Sequence, residues 1–181
     1  MGSSRMRTGP DLDIRRLGRG EVPAVAALME DVISRIPAQE LFATDDVDYL
    51  YAHVEEQGEI YGAYIDGELA AYSVLAFPGL REGNLGREFG VPEGELAYVA
   101  VLDATVVHES ARGRGLQRYF HELREERARA AGCRYLYSTV HPENRTSIRN
   151  LEAKGFELQF TRLMYSGKPR HCYAKRLGEQ T

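Results

Sequence analysis

The stretch "VVHESARGRGLQRYF", residues 106–120, joins an apolar run to a helical pattern through a turn that holds Gly113 and Gly115. Upstream, "LAYVAVLDATVVHE" (96–109) reads as a buried strand running directly into this turn. From Leu116 the period changes: Leu116, Phe120, Leu123 and Arg127 share one helix face, and Gly132 is a good stop. Three readings of the turn are physically possible. Its glycines bend the chain sharply between strand and helix, as in many α/β folds. Arg112, Arg114 and Arg118 form a basic patch for nucleic acid. Or the glycines let backbone N–H groups converge at a helix start, where the helix dipole also favours an anion.

The formal net charge of −4 gives no global field that attracts nucleic acid. Glu122, Glu125 and Glu126 balance the arginines beyond the turn, so "RYFHELREERARA" reads as an exposed, charge-balanced helix face. No nucleic-acid partner is expected. Two other phosphate cradles are also excluded. Arg118 sits where the third glycine of the dinucleotide fingerprint belongs, and no Gly-Lys-Ser/Thr of a P-loop is present.

Outward from the turn, the chain reads as alternating strands and helices. "LDIRRL" (12–17) is a short strand, followed by a helix whose stripe is Val22, Val25, Ala26, Leu28, Met29, Val32 and Ile33. A second helix in "DDVDYLYAHVEEQG" is opened by Thr44 or Asp45 and closed by Gly58. "EIYGAYIDGELAAYSVLAF" is a hairpin turning at Asp66-Gly67. Residues 78–95, rich in Gly, Pro and charge, form a long loop of the kind that is functional or mobile. After the central strand and its helix come the strand "RYLYSTVH", a short helix in "NRTSIRNLEAKGF", and two closing strands. This order predicts a three-layer α/β domain with a mixed sheet over residues 11–178. Residues 1–10 read as a terminus outside the fold. The 181 residues suit one domain, and Cys133 and Cys172 show no metal-ligand spacing, which points to reduced thiols in the cytoplasm. No apolar run approaches the roughly 18 residues of a membrane helix.

The segment "VVHESARGRGLQ" resembles the acyl-coenzyme A motif of the GNAT superfamily of N-acetyltransferases. "HPENRTSIRNLEAKGFE" (141–157) resembles that family's second motif, with Asn144, Ser147-Ile148 and Gly155-Phe156 in the expected places. The resemblance implies a mixed, mostly antiparallel sheet with helices on both faces, and acetyl-CoA as co-substrate. It assigns cofactor contact to Thr105, Val106 and Val107, whose strand lies along the pantetheine arm. Arg112, Gly113, Arg114, Gly115, Leu116 and Gln117 face the pyrophosphate, and Asn144 and Ser147 lie near the second strand. Gln117 departs from the family's usual small residue. The resemblance also allows the end strands to pair across a homodimer.

Acetyl transfer to an amine is direct attack on a thioester. Deprotonating a lysine-like amine at neutral pH costs roughly 4 to 5 kcal/mol, whereas the leaving thiolate is short by only about 2 kcal/mol, so a base matters more than an acid. Asp103 interrupts the apolar run "VAVLDATVV" and alternates with Thr105 and Val107, which makes it the first candidate base. Glu95 is the second, ahead of His108 and His141. The tyrosine that serves the family as acid aligns with Leu151, which cannot donate; Tyr137, Ser138 and Ser147 are the substitutes. By the same resemblance, the acceptor, a small-molecule or peptide amine, meets residues 35–46 and the 78–95 loop. Asp45, Asp46, Asp48, Glu82, Glu88 and Glu93 make these segments acidic. A non-catalytic acyl-CoA-binding module is the alternative.

Overall fold

The computed structural model describes residues 12–36, 46–164 and 167–178. Its strands are β1 (Leu12–Arg16), β2 (Gly58–Ile65), β3 (Glu68–Ala76), β4 (Val99–Val107), β5 (Tyr135–Val140), β6 (Glu157–Met164) and β7 (Lys168–Arg176). Its helices are α1 (Val22–Ser34), α2 (Val47–Val54), α3 (Leu116–Ala130) and α4 (Arg145–Ala153). The strands form a seven-stranded mixed sheet in the order β1-β2-β3-β4-β5-β7-β6. The expected α/β architecture is therefore present, and β6 is an edge strand. Two compact units divide the described chain: residues 12–36, 46–75 and 104–120 form one, and residues 76–103, 121–164 and 167–178 the other.

In the first unit, α1 buries Val22, Val25, Leu28, Met29 and Val32, with Pro23 in its first turn where its missing N–H costs nothing. This stripe meets Leu50 and Val54 of α2, Ile60 of β2 and Tyr72 and Val74 of β3. The hairpin turns where expected. Asp66 and Gly67 both have positive φ, 51° and 83°, the mirror-image turn that matches strand twist. β1 pairs antiparallel with β2, from Leu12↔Ile65 to Arg16↔Tyr61.

Helix α2 corrects the expectation for its ends. Asp46 is the cap, its carboxylate accepting the Tyr49 N–H at 2.8 Å, while Gly58 opens β2 instead of closing the helix. Thr44 and Asp45 lie outside the described residues.

In the second unit, β4 runs parallel to β5, and β7 pairs antiparallel with both β5 and β6. The loop after β3 is a built structure. Asn84, 2% exposed, accepts the Gly86 N–H at 2.7 Å and donates to the carbonyls of Gly79 at 2.7 Å and Leu96 at 3.2 Å. Phe89 stacks on Tyr137 with ring centroids 3.8 Å apart. Residues Glu93–Tyr98 form a 3-10 helix, so β4 starts at Val99, later than the apolar pattern suggests. The solvated face expected of α3 is also partly wrong. His121 and Arg124 are buried, and Glu125 bonds Lys175 and Arg129.

Asn84→Ala should destabilise the chain by about 2 to 4 kcal/mol in chemical denaturation, because it strips the buried Gly86 N–H and Leu96 carbonyl and the half-buried Gly79 carbonyl of their partner.

Candidate active site

In the first unit, the end of β4 and the turn after it form one continuous feature. Thr105 Oγ1 lies 2.6 Å from Ser73 Oγ, and the side chain of Val106 belongs to the hydrophobic core. The His108 N–H bonds the Ala70 carbonyl at 2.8 Å, the last tie to β3 before the chain turns. His108 then caps a 3-10 turn, Glu109–Ala111, its Nδ1 accepting the Ser110 N–H at 3.0 Å. Ala111 is fully buried, and so is Leu116, the first residue of α3. Between these two anchors, residues 112–115 are exposed.

Gly113 and Gly115 have φ of 79° and 75°, the left-handed region where a side chain is strained. A Cβ at either position would meet nothing within 4 Å, so backbone conformation and not crowding demands glycine. The Arg112 N–H is used within the turn, bonding the Glu109 carbonyl at 3.2 Å. The N–H groups of Gly113, Arg114, Gly115 and Leu116 have no acceptor among the described residues. In the first turn of the helix the Tyr119 N–H bonds the Gly115 carbonyl at 3.0 Å. Four unspent donors therefore sit at the positive end of a 15-residue helix, an arrangement suited to a multiply charged anion.

Sequence reasoning missed the group that braces this turn. Arg35, at the end of α1, forks onto Glu109 with Nε to Oε2 at 2.7 Å and Nη2 to Oε1 at 2.9 Å. It also holds both oxygens of Asp31, Nη2 reaching Oδ2 at 3.0 Å. The Arg35 hydrogen bonds pull the Glu109 carboxyl down to about 2 and lower that of Asp31 as well. The clamp joins residues 74 positions apart, which no local pattern could reveal.

The second unit holds the remaining candidates. Asp103 is half-buried, and its carbonyl accepts Arg124 Nη1 at 2.9 Å. Arg124 escapes a sequence reading because its charge looks like a surface feature, although it stands four residues after buried Phe120 and four before buried Ala128. Glu95 lies in the 3-10 helix before β4. Its Oε1 accepts the Tyr135 hydroxyl at 2.7 Å and lies 3.8 Å from Arg134 Nη1. That hydrogen bond raises the Tyr135 pKa. Asn144 caps α4, its Oδ1 accepting the Ser147 N–H at 3.3 Å. His141 is buried, with Nδ1 accepting the Glu143 N–H at 3.1 Å. Leu151 is a core residue at 5% exposure. Of its substitutes, Tyr137 is buried and its hydroxyl pushed up to about 12 by desolvation, and Ser138 donates to the Leu102 carbonyl.

The acidic loop is less acidic than its composition suggests. Glu88 bonds Arg162 at 2.6 Å and Glu93 bonds Arg87 at 3.2 Å. Asp45 lies outside the described residues.

Residues 26–156 match the model of the acetyltransferase (GNAT) family. The chain belongs to that family. The GNAT fold is also seen in solved structures. An acetyltransferase of the GNAT family from Streptococcus pneumoniae superposes with a TM-score of 0.71 at 15% identity, covering 92% of this chain and 100% of the other. The ribosomal-protein-alanine N-acetyltransferase from Brucella melitensis gives 0.69 at 21%, covering 91% and 99%. YncA from Salmonella typhimurium, solved with its cofactor acetyl-CoA, gives 0.69 at 17%, covering 93% and 95%. Comparison with curated protein sequences found no match. Among the described residues no cluster suited to a metal ion occurs, and no helix is long and apolar enough to cross a membrane.

The clamp yields a pH prediction. Because Glu109 is depressed in the folded chain, its contribution is complete above the ordinary carboxylate value of about 4.5 and is lost as pH falls toward about 2. Arg35→Met should return Glu109 to the ordinary range, read from its side-chain carboxyl in a carbon-detected NMR titration, and added salt should weaken the effect.

Proposed function

We propose that this chain transfers the acetyl group of acetyl-CoA to a primary amine of a small molecule or peptide, by direct attack of the amine on the thioester. The observation that carries this reading is the set of unspent N–H groups at Gly113, Arg114, Gly115 and Leu116. They suit the pyrophosphate of a coenzyme A thioester, with Gln117 next on α3. Arg112 and Arg114, exposed beside them, add positive charge that needs no fixed geometry. The extended segment Thr105–Val107 lies directly before the cradle and offers backbone groups to an amide-bearing arm. Asn144 keeps its Nδ2 hydrogens for a cofactor oxygen, since only Oδ1 caps the helix, and Ser147 stands one turn further along α4. Acetyl-CoA supplies an activated acyl group.

Asp103 takes the proton from the attacking amine. It lies on the same strand as the cofactor-facing residues, and its backbone is held by a buried guanidinium. Glu95 is the second candidate, with one carboxylate oxygen already accepting from Tyr135. With Leu151 in the core, the thiolate leaves without the family's usual acid. We place the enzyme in the cytoplasm, in keeping with two buried free cysteines. The exposed edge strand β6 is where a homodimer would pair.

The test is release of free coenzyme A thiol across a panel of primary amines. Asp103→Asn should lower kcat by about 10²-fold or more and leave the KM for acetyl-CoA unchanged. Wild-type turnover by this variant over about pH 6 to 9 removes Asp103 from the mechanism and turns attention to Glu95→Gln. Tight acetyl-CoA binding with no thiol release on any amine favours the binding-module alternative.

A further inference from the structure

Two adjacent residues at the entrance to the exposed turn, His108 and Glu109, are each met from α1. Arg35, which caps the C-terminus of this helix, forks onto Glu109 through Nε at 2.7 Å and Nη2 at 2.9 Å. The same guanidinium grips Asp31, four residues back, Nη1 reaching Oδ1 and Nη2 reaching Oδ2. Asp31 Oδ2 in turn stands 3.6 Å from His108 Nε2. Nδ1 of His108 accepts the Ser110 N–H, so the hydrogen of the neutral ring sits on Nε2 and faces that carboxylate. Four side chains therefore close a ring between α1 and residues 108–109, all of them within the first unit.

The turn needs outside support because its own main chain supplies little. Beyond the bond from the His108 N–H to Ala70, the Ala111 and Arg112 N–H groups reach back only to the carbonyls of His108 and Glu109. The Arg112 bond, 3.2 Å long, is the last before the unspent amides begin at Gly113. Whatever fixes Glu109 therefore also fixes where that run of amides starts. The far end of the clamp is firm. Val25, Leu28, Met29 and Val32 of α1 are buried in the core, and the Arg35 N–H bonds the Val32 carbonyl at 3.2 Å. A guanidinium suits the join, because its planar fork sets direction as well as supplying charge.

We propose that Arg35 and Glu109 are positioning residues for the diphosphate of coenzyme A, bracing the turn from α1 so that its free amides are set before the anion arrives. The inference rests on the acetyl-CoA reading above. Acting through geometry gives the pair a signature of its own. Arg35 is positive and Glu109 negative, so as isolated charges near an anion they would have opposite effects on its binding. As two halves of one brace they have the same effect. Losing either frees the turn, and binding must then order it at a cost in conformational entropy.

The experiment uses the full chain and two probes, coenzyme A and ADP, which carries the diphosphate alone. Affinities are measured by calorimetric titration for the wild type, Arg35→Met, Glu109→Ala and the double variant, with melting temperature and circular dichroism confirming the fold. Each single variant should weaken both probes equally, by about five-fold, the scale of an exposed ion pair. The double variant should bind no more weakly than either single one, because the second change removes a brace already lost. In the free chain, each single variant should also move the backbone amide resonances of Gly113 and Gly115. Glu109→Ala binding ADP as tightly as wild type, or more tightly, overturns the inference and leaves Arg35 a plain charge effect. Losses that multiply in the double variant overturn it as well, as do glycine amides that stay in place. A wild type that binds neither probe instead overturns the acetyl-CoA reading. If one single variant does not fold, the affinity and the glycine amides of the other decide the matter.

Discussion

A strand can leave its neighbour only if the backbone groups it exposes find other partners, and β4 meets that constraint within two residues. Its ladder to β5 ends at Val101↔Tyr137. The carbonyls of Leu102 and Asp103 are then taken by Ser138 and Arg124. An unsatisfied buried carbonyl costs about 1 to 3 kcal/mol, so both contacts stabilise this part of β4. Thr105 turns its hydroxyl to Ser73, Val106 enters the core, and His108 makes the last bond to β3.

The turn beyond β4 works on a similar principle, with rigid supports on either side of exposed backbone. Ala111 and Leu116 are buried anchors, and residues 112–115 bridge them in the open. The glycines supply the left-handed conformations that spread successive N–H groups over one concave surface. Arg35 fixes the approach to the bridge through Glu109. Exposed ion pairs are individually weak, but this one is bidentate on two carboxylates, and geometric definition is the part of its contribution that solvent screens least. The arginines of the turn matter less than its glycines, because a flexible cation adds charge without setting a position.

The sequence made legible whatever is local. The α1 stripe, the Asp66-Gly67 turn and the glycines after β4 each leave a signature within a few residues, and all are found where that signature put them. Boundaries were less legible. Asp45 and Asp46 are equal as caps by residue type, and the apolar pattern from Leu96 hides a 3-10 helix that ends at Tyr98. The long-range polar contacts were least legible. Arg124 carries the helical period of a core residue, but a charge is read as solvated until its acceptor is known, and that acceptor is a backbone carbonyl 21 residues away. Glu88 and Glu93 show the converse, since their acidity is partnered by Arg162 and Arg87.

The chemistry inherits its spacing from β4. A strand rises about 3.3 Å per residue and returns to the same face every second one, so Thr105 lies roughly 7 Å and Val107 roughly 13 Å beyond Asp103 along one side. That interval is covalent and does not depend on how any loop is arranged. With Leu151 committed to the core, no tyrosine stands at the family's acid position, and in the reaction we propose the larger demand, freeing an ammonium of its proton, falls on a carboxylate. Asp103, the base we propose, has its own carbonyl held by the buried guanidinium of Arg124. That contact fixes the backbone of the residue we propose moves the proton, whichever way its carboxylate turns.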